Sequence, residues 1–179
     1  MKKLIIATFS LLAFGTTFAQ RSVNNDHVDG QTSFYAELGG PGILFSANID
    51  RRFKASNLGW GGRAGVGFVS GYIQSNSSGF YERPSSVVTF PLQLNYIFGK
   101  PNSPHTFEVG GGVTIAGRKL DIFDYSDYDD RQSQVFGSAS FMYRRQPVHG
   151  GFSWRIGFTP LFARGYIQPT GGVSVGYNF

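Results

Sequence analysis

The sequence predicts an all-β chain, an eight-stranded antiparallel up-and-down β-barrel that spans a membrane. Three observations carry that prediction. Eight segments between Gln31 and Phe179 alternate large apolar residues with glycine or polar ones, separated by turn-rich breaks. A strand sends successive side chains to opposite faces, so each segment has one apolar face and one small, polar face. Each segment is near the roughly nine to eleven residues with which a tilted strand crosses a bilayer. No segment beyond residue 19 shows a convincing 3.6-residue apolar period, so no helical layer is expected.

In chain order, residues 1–19 read as a secretory signal peptide. Lys2 and Lys3 give a positive start, Leu4 to Phe14 an apolar core, and Thr17-Phe18-Ala19 a small-x-small cleavage site. Residues 20–30 read as a flexible polar lead-in, and residues 31–179 as the barrel domain. Its strand candidates are Thr32–Gly39, Ile43–Phe53, Trp60–Tyr72, Val87–Phe98, His105–Ala116, Val135–Arg145, Gly151–Phe162 and Gly171–Phe179. Between them, Pro41-Gly42, Asn57, Ser75 to Ser78, Pro101 to Pro104, Pro147 and Pro169 supply turn chemistry. With both ends of the barrel facing the periplasm, the connections near 54–59, 99–104 and 146–150 are the short periplasmic turns. Those near 73–86, 117–134 and 163–170 are then the longer outer loops, an asymmetry expected of outer-membrane barrels. The first outer connection, Gly40-Pro41-Gly42, is unusually tight for that pattern.

Composition narrows the function classes. The chain has no cysteine, so neither a disulfide framework nor an acylated lipoprotein anchor is available. Without Lys2 and Lys3 there are fourteen basic and eleven acidic residues, a balance of +3, and the basic ones are scattered singly. A nucleic-acid partner is excluded on that distribution.

Side-chain bulk decides which face meets lipid. One parity holds Phe34, Phe45, Ile49, Trp60, Phe68, Val88, Phe90, Leu92, Leu94, Tyr96, Phe107, Val109, Ile115, Phe141, Phe152, Trp154, Ile156, Phe158, Val175, Tyr177 and Phe179. The interior of an eight-stranded barrel is only just wide enough for side chains to fill it, so this set must face outwards. The other parity is glycine, serine, asparagine and a few charges, which read as an interior ion-pair network: Glu37, Asp50, Arg52, Arg63, Glu108, Arg144 and Arg155. By strand position these fall into two sets, Asp50 and Arg52 beside Arg63, and Glu108 near Arg144 and Arg155, with Glu37 alone further up. At lipid-facing parity only Arg51, Arg145 and His105 are charged or titratable, all near periplasmic ends. A lipid-facing arginine costs about 2–4 kcal/mol at the midplane and roughly 0–1 near the interface. Phe53, Trp60, Tyr96, Phe98, Phe107, Tyr143, Phe152, Trp154, Tyr177 and Phe179 gather at those same ends as an aromatic girdle.

With its eight-strand pattern, its loop asymmetry and the ending Val173-x-Val175-x-Tyr177-x-Phe179, the chain resembles small Gram-negative outer-membrane barrels of the OmpA-transmembrane-domain/OmpX type. The resemblance spans nearly all of residues 31–179 and implies location in the cell outer membrane among its lipids. It also implies an assembly signal in Val175, Tyr177 and Phe179, read by the barrel assembly machinery after delivery by periplasmic chaperones. It covers the barrel alone, so no cell-wall anchoring is inherited.

Catalysis is not expected. Small enzymatic barrels use a histidine with a serine and an acid near the outer leaflet. Here His27 precedes the barrel and His105 and His149 sit at periplasmic turns, far from Ser75, Ser77 and Ser78. The second long outer loop carries Asp121, Asp124, Asp127, Asp129 and Asp130 among Phe123, Tyr125 and Tyr128. Such carboxylates suit a hard cation, although the stretch lacks the glycine and distal glutamate of an EF-hand. A solvated acidic loop, or contact with an extracellular ligand or receptor through exposed aromatics, is the alternative. The expected protein is a monomeric outer-membrane barrel without cofactor, structural or interacting through its outer loops. A narrow pore for small solutes and a soluble exported lipocalin-like carrier are the other readings.

Overall fold

Period-two alternation closes this chain on itself. The computed structural model describes residues 31–73, 83–120 and 133–179. Within them the chain is a closed eight-stranded antiparallel barrel. Its first six staves are β1 (Thr32–Gly39), β2 (Phe45–Arg52), β3 (Gly59–Ile73), β4 (Arg83–Gly99), β5 (His105–Leu120) and β6 (Ser133–Arg145). The seventh is β7 (Gly151–Phe158) continued by β8 (Leu161–Ala163); the eighth is β9 (Tyr166–Gln168) continued by β10 (Gly171–Asn178). Closure is made by β10 on β1, in register from Ser33↔Asn178 to Gly39↔Gly172. Thr32 and Phe179 therefore meet at one rim, where the Phe179 amide donates to the Thr32 carbonyl at 2.8 Å. That rim is termed terminal below, and the opposite one distal. The signal peptide and lead-in expected over residues 1–30 lie outside the described residues, as do 74–82 and 121–132.

Strand boundaries depart from the periodicity in instructive ways. The second strand starts at Phe45 rather than Ile43, because Ile43 and Leu44 belong to a turn. Two hairpins run longer than expected, pairing out to Ile73↔Arg83 and, beyond a register shift, to Leu120↔Ser133. At about 3.3 Å per residue, seventeen residues of β4 are more than twice the length of the eight-residue β1 and β2, so these ribbons rise past the distal rim. The seventh strand breaks at Thr159-Pro160 instead of running through to Phe162. Pro160 has no N–H for the ladder. Opposite it, the eighth stave breaks at Pro169-Thr170, and the two gaps are stitched by the Thr159 amide donating to the Thr170 carbonyl at 2.7 Å. Beyond the gaps, β8 and β9 form a small hairpin whose turn residues Arg164 and Gly165 both have positive φ.

The two faces sort by residue type. Every apolar residue assigned to the outer parity is exposed on the wall, except Trp154, which is half-buried against Tyr143. Ser46, Asn48, Thr89, Gln93, Asn95, Ser138, Ser140, Ser174 and Asn178 are buried inside. The interior is not uniformly polar, however. Tyr35, Ile97, Phe136, Met142 and Leu161 also point inwards and are buried.

The tight connection between β1 and β2 does not arch over the rim. Gly40–Gly42 form a 3₁₀ turn, wholly buried, that folds down into the barrel and touches staves from around its circumference. Gly40 is required here twice over. Its φ is +68°, and a Cβ on it would stand 2.8 Å from the Glu37 carboxylate.

Candidate functional site

Both the barrel interior and the rims present polar chemistry, and the interior is the denser of the two. Alternation on each strand brings a polar side chain inwards every second residue, and eight staves aim them at one axis. Arg63 pairs with Glu37, which also meets Arg155 at 3.5 Å. Arg155 Nη1 lies 3.2 Å from Glu108, Glu108 lies 3.0 Å from Arg144, and Arg144 lies 2.9 Å from Asp50. Asp50 finally pairs with Arg52. The result is one unbroken chain of alternating charge, Arg63–Glu37–Arg155–Glu108–Arg144–Asp50–Arg52, with every side chain essentially inaccessible.

This differs from the arrangement expected from strand position. Asp50 and Arg63 are cross-strand partners in the ladder, yet Arg63 reaches along the axis to Glu37 instead. Glu37 is thus not isolated but joins the two sets. Long arginine side chains bridge several residues of height, which a count of backbone positions does not reveal.

Neutral groups add hydrogen bonds to the network. Arg63 donates to Gln93 at 3.1 Å, Arg155 to the Ser174 hydroxyl at 2.8 Å, and Arg144 to the Ser33 hydroxyl at 2.7 Å. Asn95 donates to both Asp50 and Glu108 at 3.3 Å. The Tyr35 ring stacks with the Arg155 guanidinium, 3.6 Å from its centroid, and has Arg63 at 5.1 Å on the ring. Every one of the eight staves contributes a member, so the network cross-braces the cylinder. Gly61 makes one part of it feasible, since a Cβ there would collide with the Arg52 guanidinium.

Above the charges, towards the distal rim, the interior changes character. The carbonyls of the inward turn are held by threonine hydroxyls, Thr114 donating to Pro41 at 2.6 Å and Thr89 to Gly42 at 3.0 Å. Val87, Ala116, Phe136 and Ala163 form a buried apolar cluster, with Ile43 and Leu120 packed on it. Ile43 adopts φ 79°, ψ −72°, a γ-turn conformation that a β-branched residue enters only under strain. Parity counted back from Arg144 through Met142, Ser140 and Ser138 reaches Phe136, so that inward aromatic was available to sequence reasoning and was missed.

At the terminal rim, outward rings form a near-continuous band. Phe98 stacks on Phe107 at 5.9 Å, Phe107 meets Tyr143 edge-on at 5.8 Å, and Tyr143 meets Trp154 at 5.3 Å. Trp60 and Tyr96 pair at 5.3 Å, Tyr177 and Phe179 at 5.1 Å. Val175 and Tyr177 on β10, and Phe179 just beyond its end, are all exposed. His105 lies on this rim and bonds Tyr143 through Nδ1, while Ser75, Ser77 and Ser78 lie outside the described residues. So do Asp121, Asp124, Asp127, Asp129 and Asp130. Among the described residues, no group of three histidine, aspartate or glutamate side chains is placed to hold a metal ion.

No protein-family model matches the chain, and no curated protein matches its sequence. Among solved structures, its fold is similar to the N-terminal β-barrel domain of OprF from Pseudomonas aeruginosa. The two share 12% identity, with a TM-score of 0.53 over 84% of this chain and 99% of that domain. At that identity the likeness shows the barrel fold alone.

Proposed function

We propose that the chain is an integral outer-membrane β-barrel, monomeric and non-catalytic, with its terminal rim in the periplasm and its distal loops at the cell surface. Its role is structural, or interaction with an extracellular partner through those loops, the acidic stretch from Asp121 to Asp130 included. One observation carries the reading: the molecule is inside out. Large apolar rings cover the wall while seven charged side chains are sequestered along the axis. In water that wall would aggregate; in lipid it is the solvated surface. Likeness in fold to the OprF barrel domain supports the membrane location.

Two features argue against a conducting pore. The ionic chain fills the lower interior, and the Gly40–Gly42 turn with its apolar cluster fills the upper part. A lipocalin-like carrier needs an apolar cavity, whereas this axis is occupied by guanidinium and carboxylate groups. Val175, Tyr177 and Phe179, exposed at the rim, supply the recognition strand for the assembly machinery. Density-gradient fractionation with heat-modifiable gel migration tests location and barrel closure. Recovery in the soluble periplasmic fraction, or planar-bilayer currents from the intact chain, would overturn the respective parts.

A further inference from the structure

We propose that the terminal rim holds the phosphodiester of an anionic phospholipid of the inner leaflet, at a site made by Arg145 and His105 on an aromatic platform. The proposal rests on the outer-membrane orientation above. His105 on β5 and Arg145 on β6 are directly opposite in the ladder, both exposed on the outer wall. The Arg145 guanidinium is thus a fixed cation on the outer wall, with an imidazole as its cross-strand neighbour. Among the described residues the side-chain carboxylates are Glu37, Asp50 and Glu108, and all three are buried in the lumen. By contrast, Arg51, Lys54, Lys100, His105, Arg145 and His149 are all exposed at this end of the barrel. The local field therefore calls for an anion, and the anion at that depth of a bilayer is a headgroup phosphate.

Geometry distinguishes the His105–Arg145 position from the rest of the basic rim. Tyr143 Oη is 2.5 Å from His105 Nδ1 and orients the imidazole. In the tautomer whose Nδ1 accepts from that hydroxyl, Nε2 bears the proton and can donate to a phosphate. On the far side, Arg145 pairs across the strand with Trp154, and Trp154 packs on Tyr143 at 5.3 Å. Phe107 closes the platform at 5.8 Å from Tyr143. A guanidinium fork, an imidazole N–H and rings that lie along acyl chains match the parts of a phospholipid at the headgroup boundary. Within the described residues the Arg145 guanidinium has no side-chain hydrogen bond or ion pair, so its donors are uncommitted there.

The test reconstitutes the full chain into mixed phosphatidylcholine–phosphatidylglycerol vesicles and measures the lipids retained on the protein by native mass spectrometry. Enrichment of phosphatidylglycerol is expected for the unaltered chain, falling about fivefold in Arg145→Gln and further when His105→Gln is added. Heat-modifiable migration verifies that each variant is folded, and Lys54→Gln serves as a rim cation outside the platform. Undiminished enrichment in the double variant, or an equal loss in Lys54→Gln, would show diffuse attraction and overturn the site. Displacement of the bound lipid by soluble glycerol phosphate would assign it to free phosphates instead and would also overturn it. Failure to enter vesicles at all would remove the membrane reading beneath it.

Discussion

The two halves of the interior close the same cylinder by different physics. The terminal half is braced by seven alternating charges linked through hydrogen bonds to every stave. The distal half is stopped by a backbone turn, two threonine hydroxyls and a small apolar cluster. In the first, each group is buried only because its neighbour is there, so errors are severe and non-local. In the second, packing is additive and each contact stands nearly alone. The comparison teaches that a narrow barrel can be sealed twice, with the two seals failing independently.

The largest effect is expected from breaking the ionic chain at its centre. Arg155 bridges Glu37 and Glu108 and stacks on Tyr35. Arg155→Ala should destabilise the barrel by about 3–5 kcal/mol, because it leaves two buried carboxylates each with one cation fewer. Urea unfolding in lipid, followed by tryptophan fluorescence, measures it. Conductance should change little, since the distal seal is untouched. A large, stable current with unchanged unfolding would mean that the charges line a path instead of closing one.

Phe136→Ala attacks the other seal. The ring is fully buried in the distal cluster, and its loss should cost about 3 kcal/mol. Here too no current is expected, this time because the ionic chain remains. Only the double variant with Arg155→Ala should conduct, and the two destabilisations should add to within about 0.5 kcal/mol if the halves are independent. A strongly non-additive result would show that the inward turn transmits strain between them, through Gly40 lying against Glu37. Thr114→Val is a milder probe of the same seal. It leaves the buried Pro41 carbonyl without its donor, a cost of about 1–3 kcal/mol by the same unfolding measurement.

The two halves were also unequally legible in the sequence. Charges at inner parity stand out against glycine and serine, so Glu37, Asp50, Arg52, Arg63, Glu108, Arg144 and Arg155 could be named from alternation alone. Their pairing could not, because arginine length lets Arg63 leave its ladder neighbour Asp50 for Glu37. The distal seal was nearly invisible. Pro41-Gly42 reads as turn chemistry whether the turn points out or in, and only tertiary contact decides. Thr159-Pro160 looks like one more pair within an alternating strand, although its missing N–H interrupts the ladder. Inward apolar residues such as Phe136 and Leu161 were hidden by the premise that bulk belongs outside, which holds for a whole face and not for each residue on the other.

The smallest expected effect sets the meaning of the largest. Arg51 and Arg52 are consecutive on β2, so one faces the wall and the other the axis: Arg51 is exposed, while Arg52 is 3% exposed and bonded to Asp50, Asn95 and the Gly59 carbonyl. Composition treats them alike; position does not. Arg52→Leu strands part of the Asp50 charge and should cost about 3–5 kcal/mol. On the proposed membrane placement, Arg51→Leu removes a cation from the interface end of the wall, where a lipid-facing arginine costs only about 0–1 kcal/mol, so stability should shift by no more than that in either direction. Urea midpoints of the two variants in the same vesicles give the contrast directly. If Arg51→Leu instead stabilised the barrel by several kcal/mol, Arg51 would have to lie near the bilayer midplane. The terminal rim would then be deeper in hydrocarbon than its girdle of aromatic rings allows.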